Sequence, residues 1–400
     1  MKMFHSYRRL LRAVLALLVA GCSWSCIYER ETDCPDASRN GIVLNLHVVT
    51  QGPATRSEGH TLVAGTTAEN YLNIAKPDFA VFVFDGNGRL TQSLPLASAV
   101  LIKDMSADYS VYSLTGRMDM VPDEIQVMVV ANWGSFSNRY GFGIDQTLGS
   151  LYKDGNNWNF KVPYAADGMT WYPEFNESDP GNSRTIPMFG ISEKISLSLL
   201  KGREDKTIYL MTGGDYAPIY MLRSLAKIEV IYSTQQESME MTGCSLSAYN
   251  TVGRFIPDVD KNGDWNVAAT QVTSPSLPDN PGSMTAGMNG ATALKFFQAT
   301  RSPGQDVFVA YIPEMSIDNS ARPQINVDIS MPTIGGGTTV RPYSFAFDNF
   351  TDGKANGTLN AVLRNHIYSY TLRKSLISGE ITVDYTVCPW EEFNTDITFN

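Results

Sequence analysis

Ile42, Leu44, Leu46 and Val48 alternate with Val43, Asn45, His47 and Val49. A period of two is the mark of a strand, because successive side chains leave opposite faces of the pleat. The signal recurs: Phe79–Phe84 is a near-continuous apolar run suited to burial on both faces, and Ile125–Ala131, Lys194–Leu200 and Lys206–Met211 read as further strands. Leu225–Tyr232, Cys244–Asn250, Val307–Ile312, Ile325–Ile329, Tyr343–Phe347, His366–Leu372, Ile381–Val387 and Asp396–Phe399 continue the series in the second half. Clusters of Gly, Pro and Asn separate them, within totals of 32 Gly and 20 Pro, and Asp85-Gly-Asn-Gly88 has the composition of a tight turn. Many short strands joined by turn residues predict an all-β chain built as β-sandwiches. Only one short helix, near Thr147 to Tyr152, is expected.

A chain of 400 residues has room for two such units. Thr212-Gly-Gly-Asp-Tyr-Ala-Pro218 is the clearest break between apolar runs, which gives domains 42–214 and 215–400. Gly52–Thr67 and the aromatic, Gly- and Asn-rich stretch 133–185 lie within the first.

The N-terminus reads as an address. Lys2, Arg8, Arg9 and Arg12 precede the short apolar run Ala13–Ala20, the charge-then-apolar order of a secretory signal. Leu18-Val19-Ala20-Gly21-Cys22 resembles the lipobox of bacterial lipoproteins, with cleavage between Gly21 and Cys22 and acylation of Cys22. Cys26 is the alternative lipid site. Residues 1–21 are then signal, and 22–41, with Glu29, Glu31, Asp33 and Asp36, an acidic tether. Loss of four of the 31 basic residues and none of the 41 acidic ones moves the net charge from −10 to −14. Attachment to an anionic membrane would therefore rest on acyl chains. The same acidity, with no basic cluster beyond the leader, argues against nucleic-acid partners.

No motif calls for an enzyme. His47, His60 and His366 are scattered, and His-Glu-x-x-His, Gly-x-Ser-x-Gly and phosphate-loop patterns are absent from the sequence. Paired carboxylates for glycoside cleavage are neither excluded nor favoured. Asp258-Val-Asp-Lys-Asn-Gly-Asp264 resembles half a calcium loop, but Ala269 stands where the bidentate Glu belongs, so an exposed hairpin loop is expected. Gly335-Gly-Gly337 is expected to be a hairpin turn. Tyr140, Phe142, Tyr152, Trp158, Phe160, Tyr164, Trp171 and Tyr172 suit either a sugar-stacking surface or core packing. No cofactor or metal is expected, and Cys244 and Cys388 are left as a possible bridge.

Cys26-Ile-Tyr-Glu with Asp33-Cys-Pro35, Val81-Phe-Val-Phe-Asp-Gly-Asn-Gly88, Val130-Ala-Asn132, Ile186-Pro-Met188, Arg223-Ser-Leu-Ala-Lys-Ile228, Tyr311-Ile-Pro-Glu314 and Leu363-Arg-Asn-His-Ile-Tyr368 follow one another along the chain. In order and spacing these motifs resemble the FimB and Mfa-type fimbrial subunits related to the fimbrillins of type V pili. The resemblance implies two transthyretin-like β-sandwich domains in tandem and a non-enzymatic lipoprotein at the outer membrane and in the fimbrium. Its partners would be other subunits, joined by strand exchange, with host or bacterial surface ligands in adhesion. It also implies a groove whose resident is Ile42–Val49 and a donor among Ile381–Val387 and Asp396–Phe399. In stalk subunits of the family a protease cuts after an arginine beyond the first strand, and Arg56, with Ser57 next to it, holds that place. Anchor subunits keep their N-terminus, which the Asp33-Cys-Pro35 segment resembles. The readings are thus a lipid-anchored anchor or accessory subunit, a stalk or tip pilin cut after Arg56, or a glycan-binding lipoprotein.

Overall fold

The computed structural model describes residues 42–51, 68–73, 79–105, 109–119, 121–132, 159–176, 178–179, 182–197, 207–209, 211–212, 215–216, 219–233, 239–255, 293–302, 305–317, 322–351, 354–355, 357, 359, 361–374 and 381–389. Strands and turns make up these residues, with no α-helix among them, as the alternation requires.

In the first half the main strands are β1 (Ile42–Gln51), β2 (Phe79–Asp85), β3 (Leu90–Leu94), β4 (Leu96–Met105), β5 (Tyr109–Met118), β6 (Glu124–Ala131), β7 (Asn159–Lys161), β8 (Met188–Ile191), β9 (Thr207–Tyr209), β10 (Ile219–Tyr220) and β11 (Leu222–Arg223). One sheet runs β9-β1-β5-β4 with β10 also on β1, and the other β11-β8-β6-β2-β3. Their facing apolar side chains, among them Leu44, Leu46, Val48, Val81, Val83, Val127 and Val129, fill one core. β2 lies between β6 and β3, and Val81 to Phe84 are all buried, as the unbroken apolar run predicts. The turn after it has Gly88 at φ 73°, and the Asp85 carboxylate accepts from the Asn87 and Arg89 amides at 2.9 Å each.

The second half comprises β12 (Leu225–Ser233), β13 (Glu240–Leu246), β14 (Val252–Arg254), β15 (Leu294–Lys295), β16 (Phe297–Ser302), β17 (Gln305–Pro313), β18 (Gln324–Pro332), β19 (Thr338–Ala346), β20 (His366–Lys374) and β21 (Ile381–Pro389). Its sheets run β16-β17-β12-β20-β21 and β15-β13-β18-β19. Ala226, Ile228, Val230 and Tyr232 on one face of β12 meet Cys244, Leu246, Ile325 and Val327 in a second core. The other face of that sheet, through Leu225, Ile231, Val309 and Tyr311, joins the first core. Hence β12 is buried on both sides over eight of its nine residues.

Three expectations shift. Cys244–Asn250 is displaced toward the N-terminus, to Glu240–Leu246, because the Asn250 amide turns the chain by donating to the carbonyls of Val252 at 2.6 Å and Glu314 at 2.9 Å. Of Lys194–Leu200, Ile195–Ser196 forms strand, on β6, and 198–200 lie outside the described residues. The Lys206–Met211 run is split into β9 and a small ribbon of Met211–Thr212 with Asp215–Tyr216. The expected break lies in this region, with Gly213 and Gly214 outside the described residues, and β10 and β11 after it still pair with β1 and β8.

Candidate functional site

β1 occupies an unusual position. Along its whole length it pairs antiparallel with β5, Ile42 opposite Met118 and Gln51 opposite Tyr109. On its other side it runs parallel to two short pieces, Val43–Asn45 beside Thr207–Tyr209 and Val48–Val49 beside Ile219–Tyr220. One wall of this slot is thus continuous and the other is in two parts. Leu44, Leu46 and Val48 point into the core and are wholly buried. Burial of each such side chain is worth about 1.5–3 kcal/mol, so an emptied slot would present apolar surface and unpaired backbone groups to water. The peptide chain through 52–67 is the covalent connection between β1 and the strands that enclose it.

A buried polar cluster lies where the two halves meet. Glu69, on the turn Ala68–Asn70, is fully enclosed, and its Oε1 lies 3.1 Å from Lys227 Nζ. Lys227 also contacts Glu229 Oε1 at 2.9 Å, and the Tyr311 hydroxyl donates to Glu69. Burial opposes the Lys227 charge, yet Glu229 and Glu69 outweigh it and raise its pKa. Burial, then the Glu69 charge, drives the Tyr311 pKa well up, so its hydroxyl keeps its proton. Arg223 donates from Nε to the Glu69 carbonyl at 2.9 Å, from Nη1 to Asn365 Oδ1 at 3.2 Å, and to the Asn70 side chain. Arg364 pairs with Glu314 and donates to the Phe255 carbonyl at 2.8 Å. Asn132, held at φ 65°, donates to the carbonyls of Tyr71 and Ile186 at 2.8 and 2.7 Å and accepts from the Asn73 amide at 2.9 Å.

The motifs Val130-Ala-Asn132, Ile186-Pro-Met188, Arg223–Ile228, Tyr311–Glu314 and Leu363–Tyr368 therefore converge on one place. They hold the junction together. Lys227 and Glu229 were the legible hint, two opposite charges on one face of an otherwise apolar strand.

Gly21, Cys22, Cys26, Arg56, Ser57, Tyr140, Phe142, Tyr152, Trp158, the Asp258–Asp264 loop and Asp396–Phe399 lie outside the described residues. Phe160 stacks edge-on against Phe255, Trp171 against Tyr311, and Tyr164 against Tyr249 with its hydroxyl on the Tyr311 carbonyl at 2.9 Å. Tyr172 lies on Phe297 beneath Arg184. These four aromatics serve packing. Gly335–Gly337 do form a hairpin turn between β18 and β19, each with positive φ, with Ile334 fully exposed beside them. His366 Nδ1 donates to the Arg364 carbonyl, 2.7 Å away, and Cys244 is a buried free thiol and not half of a bridge to Cys388. Ile381–Val387 lies in β21, an edge strand paired to β20. Glu69 and Glu229 are sealed against Lys227, out of reach of a substrate. Among the described residues no His, Cys, Asp and Glu group could hold a metal, and no helix is long and apolar enough to cross a membrane.

All-β, with two sheet pairs around two cores, is the class the fold defines. No family model matches the sequence, and no curated protein matches it. Solved structures similar to the chain include fimbrial proteins. A tip fimbrial protein from Porphyromonas gingivalis is 13% identical over 88% of this chain and 100% of its own, with a TM-score of 0.42. A fimbrial assembly protein from Parabacteroides distasonis is 15% identical over 87% and 99%, with a TM-score of 0.42. A fimbrial anchor protein from Porphyromonas gingivalis is 10% identical over 88% and 97%, with a TM-score of 0.34.

Proposed function

We propose that this chain is a non-enzymatic fimbrial subunit that assembles by strand exchange and is carried to the outer membrane as a lipoprotein acylated at Cys22. The observation that carries this reading is the seat of β1, the first of the described strands, flanked by a full-length antiparallel wall and a divided parallel one. A strand from a neighbouring subunit with the same apolar alternation could take its place and pair along the same edges. Cleavage after Arg56 would free β1. The motif resemblance supports the same reading and adds cell adhesion. In this reading the two domains change over at Ser224, since strand pairing keeps Ile219–Arg223 with the first half.

Mass spectrometry of the protein from outer-membrane and sheared-fimbria fractions tests it. An acylated start at Cys22 in intact protein marks an anchor, and a start at Ser57 marks a polymerising or tip subunit. Protein confined to the soluble periplasm with an unmodified N-terminus would overturn both.

A further inference from the structure

The six residues Ala68–Asn73 have no regular secondary structure, yet five elements grip them. Arg223 of β11, Lys227 of β12 and Tyr311 of β17 hold Glu69, while Asn132 after β6 holds Tyr71 and Asn73. The fifth grip bears on the slot. The Leu72 amide donates to the Tyr112 hydroxyl at 3.1 Å, and Tyr112 is the residue of β5 directly opposite Val48 of β1. Tyr112 and Leu72 are both buried.

We propose that Ala68–Asn73 is a fixed strap that keeps the β5 wall in shape when β1 leaves, so that the slot stays ready for a replacement strand. This rests on the strand-exchange reading and deepens it. The strap lies downstream of Arg56, so a cut there leaves it on the body of the protein. Its grips on β11, β12, β17 and Asn132 involve no residue of β1. With β1 gone, the Tyr112 hydroxyl still binds a fixed amide, and the wall need not be reordered when a strand arrives. Preorganisation of that kind raises affinity by removing an ordering cost.

The test uses the full-length chain cut after Arg56, with a labelled peptide of residues 42–51 in excess. Tyr112 is a positioning residue, and Tyr112→Phe keeps the ring but removes the hydroxyl. Peptide Kd is expected to rise about tenfold in the variant, the scale of one buried hydrogen bond. Hydrogen exchange in the cut, emptied wild type is expected to leave 68–73 protected, with 110–114 protected in wild type and exposed in the variant. Equal Kd values, or loss of protection at 68–73 in the wild type, would overturn the strap while leaving strand exchange intact. Failure of both proteins to take up peptide would overturn strand exchange, and the strap with it.

Discussion

Lys227 Nζ lies 3.1 Å from Glu69 Oε1, an ion pair formed between a strand of the second half and a turn of the first, with both side chains shut off from water. Glu229 shares the same ammonium. Four formal charges, Glu69, Glu229, Lys227 and Arg223, balance within the cluster, which is what permits their burial.

Removal of one member should therefore cost far more than a surface change. Lys227→Met would leave two carboxylates around a vacated charge, and a loss of ~3–5 kcal/mol is expected from breaking a buried pair. Urea denaturation of wild type and variant measures it. A loss under about 1 kcal/mol, the range of exposed pairs, would show that the cluster is open to solvent.

Gly190 on β8 allows the divided wall of the slot to approach closely. A Cβ there would sit 2.7 Å from the Tyr220 carbonyl oxygen and 2.8 Å from an Ile219 methyl. Gly190→Ala should push Ile219–Tyr220 away from Val48 and Val49, lower the melting temperature and speed hydrogen exchange at those two strand residues. Unchanged exchange there would mean that β8 and β10 part without disturbing β1.

Acid should loosen β1. Burial lowers the pKa of His47 below the ordinary 6.5, and burial does the same to His366, against a raising hydrogen bond to the Arg364 carbonyl. The folded chain then binds these protons less readily than the unfolded one, so stability is full above about pH 6.5 and falls as the pH drops below it. His47→Gln should flatten part of that fall, read from urea midpoints at pH 7.5 and 5.5. Equal pH dependence in the variant would remove His47 as a source of the fall.

Cys244 should behave as a core residue. Burial drives its thiol pKa well above 9.0, with the Asp328 charge adding to the effect, so little nucleophilic thiolate exists near neutral pH. A thiol reagent should label it only on unfolding. Rapid labelling of the native protein at that position would contradict the packing of β13.

Much of the strand pattern was legible because apolar alternation is a local signal. Leu225–Tyr232 and His366–Leu372 are found within a residue or two of the observed strands. β4 and β5 were not, although β5 forms the continuous wall of the slot. Their sequences interleave Ser, Thr, Gly and Lys with apolar residues, and β4 is an edge strand broken by two register shifts, which blurs the period. β19 was shortened for a related reason, since its first residues are exposed on both faces and carry little apolar pattern. The junction cluster was legible only as motifs. Nothing local says that Glu69 will meet Lys227, because pairing across the fold is set by which sheets face each other.

The parallel neighbours of β1 also bear on the order in which the molecule can be put together. β1 is the earliest of the described strands along the chain, but its partners Thr207–Tyr209 and Ile219–Tyr220 come more than 150 residues later. A chain emerging from its N-terminus can pair β1 with β5 once residue 118 has appeared, but the parallel side of Leu44, Leu46 and Val48 stays open until residue 220 has followed. Contacts of such sequence separation form slowly. For that interval β1 is an apolar strand with half of its seat missing, and a companion that shields its open edge during folding would act where the finished fold places Thr207–Tyr209 and Ile219–Tyr220.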